Sequence, residues 1–407
     1  MRRLAVELVE NGAPVEVPLA SDAGTALATS GFVDARPVPG TTLWSLRPLS
    51  KVGAVRIGGA EVHVVPKIPI DRVVALLEYT RAGVRWRTDT VRVRRADDLL
   101  TAVVEAFERL ASRALQQGLL QGYRAVDAAL PVVRGRIREA DQLRAHFGLP
   151  VPVEVRYDDF TVDIAENRLL RAAVTAARWL PGLPEQLRHR LMRLDAQLVE
   201  VTPATKRYGL EPWRPTRLNA RYHDALHLAE VILDAASFEL TGTDLAVTGF
   251  VVDMAKVFED FVCATLGARL RHHRGTVRAQ DPWYLDRDRE IRMRPDLVWY
   301  RDGERPTAVV DAKYKAEKPA GFPDADLYQM LAYCTALRLP VGHLVYAKGN
   351  EAGRVHRVAG AAVTLRAHAV DLSLPPNELL LEVDRIAAHV VAQAETPAAV
   401  PDERRHA

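Results

Sequence analysis

The sequence predicts two domains of different class. The N-terminal region is α+β, a small β-barrel-like module followed by helices; the C-terminal part is an α/β domain on a mixed sheet. Three observations predict this. Short alternating or apolar runs bounded by turn signals occupy the first seventy residues. From Ile70 onward apolar residues recur at helical spacing. After a break rich in glycine and threonine at residues 241–248, the rhythm becomes helix, strands, helix, strands, helix.

Residues 42–48, 51–57 and 61–65 read as strands, and Gly58-Gly59 is a two-residue turn signal between the last two. Helical spacing begins with IDRVVALLEYT and resumes, after the basic strand-like VRVRR (Arg92, Arg94, Arg95), in DDLLTAVVEAFERLASRALQQGLLQG. Further helices are expected over 164–180, 184–199 and 218–240. The stretch TPATKRYGLEPWRPTR, residues 202–217, is rich in proline and positive charge, lacks periodicity, and reads as an exposed connection. The C-terminal unit is expected to run helix 252–271, strands 276–285, 290–300 and 307–314, helix 325–337, strands 342–347 and 362–370, and helix 377–393. This sets domains at 1–240, β-rich over 1–69 and mainly helical over 70–240, and at 241–395, with a proline-rich, disordered tail at 396–407.

Composition excludes several classes. At 407 residues the chain is too long for one typical core and short for three. Hydrophobic residues make up 48% and charged residues 26%, and no apolar run approaches the roughly 18 residues that span a bilayer. Glu7 and Glu10 interrupt the N-terminal stretch, unlike a secretory signal, so a soluble cytoplasmic protein with no membrane partner is expected. Cys263 and Cys334 lie far apart on apolar helical patterns and suit reduced thiols. A net charge of +3 permits nucleic-acid binding without requiring it.

The chemistry concentrates in IRMRPDLVWYRDGERPTAVVDAKYK. Asp302-Gly303 is a turn signal, so the flanking strands should be antiparallel neighbours that bring Asp296 and Asp311 together. Side chains alternate along a strand, placing Asp311 and Lys313 on one face and Ala312 on the other. Asp-x-Lys arises by chance on many surface strands. Here it follows the apolar Val309-Val310, where an acid and a lysine are costly without a purpose. Two carboxylates and the Ala312 carbonyl are a suitable set for Mg2+, with Mn2+ as a substitute. The ion would polarise a phosphodiester and acidify a bound water, which Lys313 would orient.

PD, a spacer, then DAK resembles the PD-(D/E)XK nuclease superfamily. DADLYQMLAYC resembles the Q-x-x-x-Y helix of several of its branches, with Gln329 and Tyr333 on one helical face. GFVVDMAKVFEDFV resembles the lead helix, Glu259 standing at the first acidic position, where it would act on the ion directly or through water, although an amphipathic helix would also solvate a glutamate there; Gln329 is expected to face the substrate backbone near the ion and Tyr333 to pack or bond one turn on. More widely, VHVVPKIPIDRVVALLEYT, LPVVRGRI, RYDDFTVDIAENRLLRAA and LNARYHDALHLAEVIL resemble, in order, segments of the McrC family, the nuclease subunits of McrBC restriction systems that act on DNA containing modified cytosine. The catalytic positions show no departure from the pattern. The tail and residues 206–217 lie outside the resemblance.

The resemblance implies a restriction-endonuclease-like C-terminal domain that cuts double-stranded DNA with Mg2+, and an AAA+ GTPase ring as partner. The N-terminal half would dock and insert a stalk into the ring. The chain has no G-x-x-x-x-G-K-[ST] loop of its own. Lys206, Arg207, Arg214 and Arg217 are then candidates for partner contact, or an ordinary basic loop. Two rival readings stay open: a self-sufficient RecB-like repair nuclease in which VRVRR contacts phosphates, and a scaffold without activity, against which the intact Asp, Asp, Lys set argues.

Overall fold

The computed structural model describes residues 4–57, 59–82, 98–147, 149–180, 182–204, 210–236, 247–314, 324–347 and 354–395. Two compact units emerge: Met1–Ala102 together with Glu239–Ala407, and Val103–Phe238. The VRVRR segment, the 241–246 break and the tail lie outside the described residues.

The first unit opens with β1 (Leu4–Val9), β2 (Val15–Pro18), α1 (Ser21–Ser30), β3 (Val33–Pro37), β4 (Leu43–Pro48), β5 (Lys51–Ile57), β6 (Ala60–Val65) and α2 (Ile70–Ala82). Ile57 pairs with Ala60, the hairpin that Gly58-Gly59 signals. Along β6 the alternate residues Ala60, Val62 and Val64 are buried, the period of a strand with one face on a core. β1 lies parallel to β6, and β2, β4 and β3 form a separate three-stranded sheet in that order. The expected barrel-like module is therefore corrected. Among the described residues these strands make two open sheets and no closed barrel, because the free edge of β5 pairs with a strand from much later in the chain. Sequence reading also missed β1 to β3 and α1, whose short and weakly apolar patterns give little periodic signal.

The second unit carries most of α3 (Leu99–Leu115), then β7 (Gly122–Leu130), β8 (Arg136–Ile137), α4 (Glu139–His146), β9 (Val153–Thr161), α5 (Ala165–Trp179), α6 (Glu185–Gln197) and, after a 3-10 turn at Ala220–Tyr222, α7 (His223–Ala236). Helix α5 packs on α6 and α7 through Leu169, Leu170, Ala173 and Ala177, the apolar stripe expected of its spacing. Buried Asn167 donates to the carbonyls of Leu120 and Val162 at 2.8 and 2.7 Å, tying down both base ends of the β7/β9 ladder. The ladder runs antiparallel from Gly122↔Thr161 to Leu130↔Val153. Beyond it, α4 buries no residue, and Val132, Val133, Leu143, Phe147, Leu149 and Val151 are all exposed.

The chain then returns to the first unit with β10 (Val247–Asp253), α8 (Met254–His272), β11 (Thr276–Ala279), β12 (Trp283–Tyr284), β13 (Arg292–Met293), β14 (Leu297–Tyr300), β15 (Ala308–Lys313), α9 (Asp324–Leu337), β16 (Val341–Tyr346), β17 (Val355–Arg357), β18 (Thr364–Ala369) and α10 (Pro376–Glu395). β10 pairs antiparallel with β5 over seven positions, completing the sheet β1-β6-β5-β10. Gly53 permits the approach: its φ is +129°, and a Cβ there would stand 2.0 Å from the carbonyl oxygen of Phe250. This pairing is why the compact units differ from a cut at residue 241. The composition break is local, whereas the partner of β10 lies two hundred residues upstream.

The second sheet has the order β11-β14-β15-β16-β18-β17, with β15, β16 and β18 parallel and the other pairs antiparallel. The mixed α/β character matches the sequence expectation. Met330, Tyr333, Cys334 and Leu337 of α9 pack on Val298, Val309, Leu344 and Tyr346 of this sheet. Gly342 makes room, since a Cβ would meet Met330 and Cys334 at 2.6 Å. Among the described residues no helix is long and apolar enough to cross a membrane.

Candidate active site

β14 and β15 deliver the acids. Leu297 pairs with Val310, so Asp296, one residue before β14, reaches the same end of the pair as Asp311. Both are buried, and the Ala312 N–H donates to Asp296 Oδ2 at 2.8 Å, locking one carboxylate onto the strand that carries the other. Two side chains on from Asp311, Lys313 lies on the same face, its Nζ 2.5 Å from Asp311 Oδ2. Lys313 also donates to Gln329 Oε1 at 2.8 Å, so α9 fixes the ammonium. Tyr314, next along, shares a hydrogen bond with Glu10, a buried carboxyl just past β1.

α8 brings Glu259. Its N-terminus is capped by Asp253, whose Oδ1 accepts from Ala255 and Lys256, and Glu259 follows half-buried in the second turn. The amide of Gln280 links it to the centre, donating to Glu259 Oε1 and, at 3.0 Å, to Asp296 Oδ1. Tyr333 is bonded elsewhere: it is buried, and its hydroxyl donates to the carbonyl of Arg294 at 3.3 Å, two residues before Asp296. Cys263, a free thiol, donates to the Asp296 carbonyl at 3.2 Å. The structure thus brings Asp296, Asp311, Lys313, Gln329 and Glu259 together, with Tyr333 under the segment that leads to Asp296.

The electrostatics are those of acids short of positive charge. Burial, then repulsion by Asp296, pushes the Asp311 carboxyl up to about 7. Burial raises Asp296 to about 6, with Glu259 adding repulsion and the Ala312 N–H working the other way. Glu259 is raised by burial and by Asp260 and Asp311. Burial opposes the charge on Lys313, yet Asp311 beside it holds the ammonium above the usual lysine value. Asp311 Oδ2 is buried and, apart from that ion pair, has no hydrogen-bond donor. A buried oxygen short of donors, on one of two adjacent acids, fits a hard divalent cation. Among the described residues no group of three or more His, Cys, Asp or Glu side chains is placed to hold a metal ion; Asp296 and Asp311 make the adjacent pair, and the Gln280 amide bridges Asp296 to Glu259.

Sequence reading missed Gln280, which lies in no recognisable motif; its one local mark is a left-handed backbone with φ of +52°. It also passed over Asp326, buried on α9 and within electrostatic reach of Lys313. Of the basic candidates, Lys206 and Arg207 lie outside the described residues. Arg214 and Arg217 are exposed, and the Arg214 carbonyl accepts from Asn219 at 2.8 Å, while Trp213 packs on His223 and His227 of α7.

The McrBC 5-methylcytosine restriction system component family matches residues 46–347, well over half of the chain and including every acid of the site. The chain belongs to this family. Among solved structures, a chain of the refined half-complex from the tetradecameric assembly of Thermococcus gammatolerans McrB AAA+ hexamers with bound McrC is 18% identical, with a TM-score of 0.58 over 95% of this chain and 100% of that one. At that identity the likeness is one of fold. A chain from the cryo-EM structure of the Thermococcus gammatolerans McrBC complex is also 18% identical, covering 65% of this chain and 88% of its own, with a TM-score of 0.42. No curated protein matches the chain.

Proposed function

We propose that this family member is the endonuclease subunit of a GTP-dependent complex that restricts modified double-stranded DNA in the cytoplasm, on a nuclease domain of the PD-(D/E)XK type. The observation that carries the reading is the convergence of buried Asp296 and Asp311 on adjacent strands, with Lys313 2.5 Å from Asp311. Mg2+, or Mn2+ in its place, would be held by Asp296, Asp311 and the Ala312 carbonyl with Glu259 in support, and supplies an electrophile and an acidified water at the phosphodiester. The protein's own groups do the rest. Lys313 presents an ammonium that orients the attacking water and offsets the growing negative charge. Gln329 holds that ammonium on the Asp311 side, and Tyr333 steadies the backbone leading to Asp296.

Stability provides a first test. Asp296 and Asp311 sit above their unfolded values near 4, so the fold binds protons that the unfolded chain has released. Their contribution is complete below pH ~4 and is lost as pH rises through about 6 and 7. A divalent ion reverses this by compensating the ionised pair. The rise in Tm on replacing EDTA with Mg2+ should therefore grow from pH 5 to pH 8, and a rise independent of pH would contradict ion binding at these acids.

We assign partner docking to the second unit. The McrB AAA+ hexamers with bound McrC of Thermococcus gammatolerans support an AAA+ partner here, which we take to be the GTPase, and the absence of a phosphate-binding loop in this sequence supports the same division. Exposed apolar side chains between Leu130 and Val153, at the end of the β7/β9 ladder, suit protein contact. Arg214 and Arg217, exposed on the same unit, add charge for acidic groups of a partner. Replacing residues 131–152 by a short glycine-containing turn between Leu130 and Val153 should leave the Mg2+-dependent rise in Tm intact. It should weaken stimulation of the partner's GTPase by more than about tenfold. Full stimulation would place docking elsewhere. Cleavage by the purified chain with Mg2+ alone would favour the self-sufficient nuclease.

A further inference from the structure

Gln280 occupies a position that the reaction scheme leaves unused. It follows β11 on the segment entering the β12/β13 hairpin, and its side-chain nitrogen faces two carboxylates at once, Glu259 Oε1 on α8 and Asp296 Oδ1 beside β14. Its backbone N–H donates to the Asp296 carbonyl at 3.1 Å, so one residue grips both ends of Asp296. The cost is visible in the backbone: φ is +52°, a left-handed conformation that a residue with a Cβ adopts rarely and with strain. Glycine would satisfy that backbone better, yet would lose the bridge. Without the amide, two acids on different elements would lose the one donor that faces both.

We infer that Gln280 is a positioning residue for the ion site, holding Glu259 and Asp296 convergent so that a divalent cation meets a preformed pair. The inference rests on the reading of the acids as an ion site. Groups that hydrogen-bond to metal ligands without touching the metal commonly set affinity, and their loss costs about 10–100-fold. The role is separable from folding, because the φ of residue 280 suits glycine.

The test uses full-length protein and Mn2+ as the probe, with free Mn2+ read by electron paramagnetic resonance and thermal unfolding followed in EDTA. Gln280→Gly should unfold no earlier than wild type and yet bind Mn2+ about 10–100-fold more weakly. Gln280→Met keeps the bulk and the backbone cost but removes both donors, and should show the same weakening. Wild-type Mn2+ affinity in either folded variant would overturn the inference while leaving the ion site standing. A wild-type chain that binds no Mn2+ would overturn both.

Discussion

Asp311→Asn is expected to give a folded chain that no longer cuts DNA. The side chain is nearly isosteric, and β15 is held by ladders on both sides, so the strand should form unchanged. On the proposed reading, what is lost is one of the two buried carboxylates that would hold the ion, a contribution to the transition state of several kcal/mol, or about a thousandfold or more in rate. The same change should raise Tm in EDTA at pH 8. There the wild-type carboxylate is ionised despite burial and Asp296, and a neutral amide carries neither cost. Single-turnover cleavage with partner, GTP and Mg2+ decides the first part. A rate within tenfold of wild type would remove Asp311 from the chemistry.

Lys313→Met should lower single-turnover cleavage by about 10²–10³, the usual loss when one electrostatic stabiliser is removed. Methionine keeps the length of the aliphatic stem but takes away the ammonium that pairs with Asp311 and bonds Gln329. Ion binding should survive, since Lys313 is no ligand and its removal leaves the acids with one positive neighbour fewer. The expected signature is therefore a slow enzyme whose Tm still rises with Mg2+. If both the rate and that rise were unchanged, Lys313 would be only a structural counterion for Asp311.

Much of the site was legible because its signals are local. Alternation along TAVVDAKYK puts Asp311 and Lys313 on one face, and the Asp302-Gly303 turn predicts the antiparallel neighbour that brings Asp296 across; the β14/β15 register has that arrangement. Helical spacing placed Gln329 and Tyr333 on one helix. Their expected roles, Gln329 near the ion and Tyr333 packing or bonding one turn on, left the partners open: Gln329 bonds Lys313, whereas Tyr333 reaches back to Arg294. Gln280 was invisible because its importance lies in a contact across 16 and 21 residues, and no propensity marks a glutamine for a left-handed turn.

The sequence alone determined what depends on short-range periodicity and residue chemistry: the major helices, the hairpin at Gly58-Gly59, the mixed α/β character of the C-terminal half, and the acids and lysine worth placing on one strand pair. The tertiary structure decided what depends on long-range pairing. It left the described N-terminal strands in open sheets, gave β5 its neighbour β10 from the far side of an excursion of about two hundred residues, and put exposed apolar side chains at the end of the β7/β9 ladder. The reason is physical. A strand's alternation records which face is buried but not which edge it pairs with, since the backbone groups that form a ladder are the same in every residue but proline.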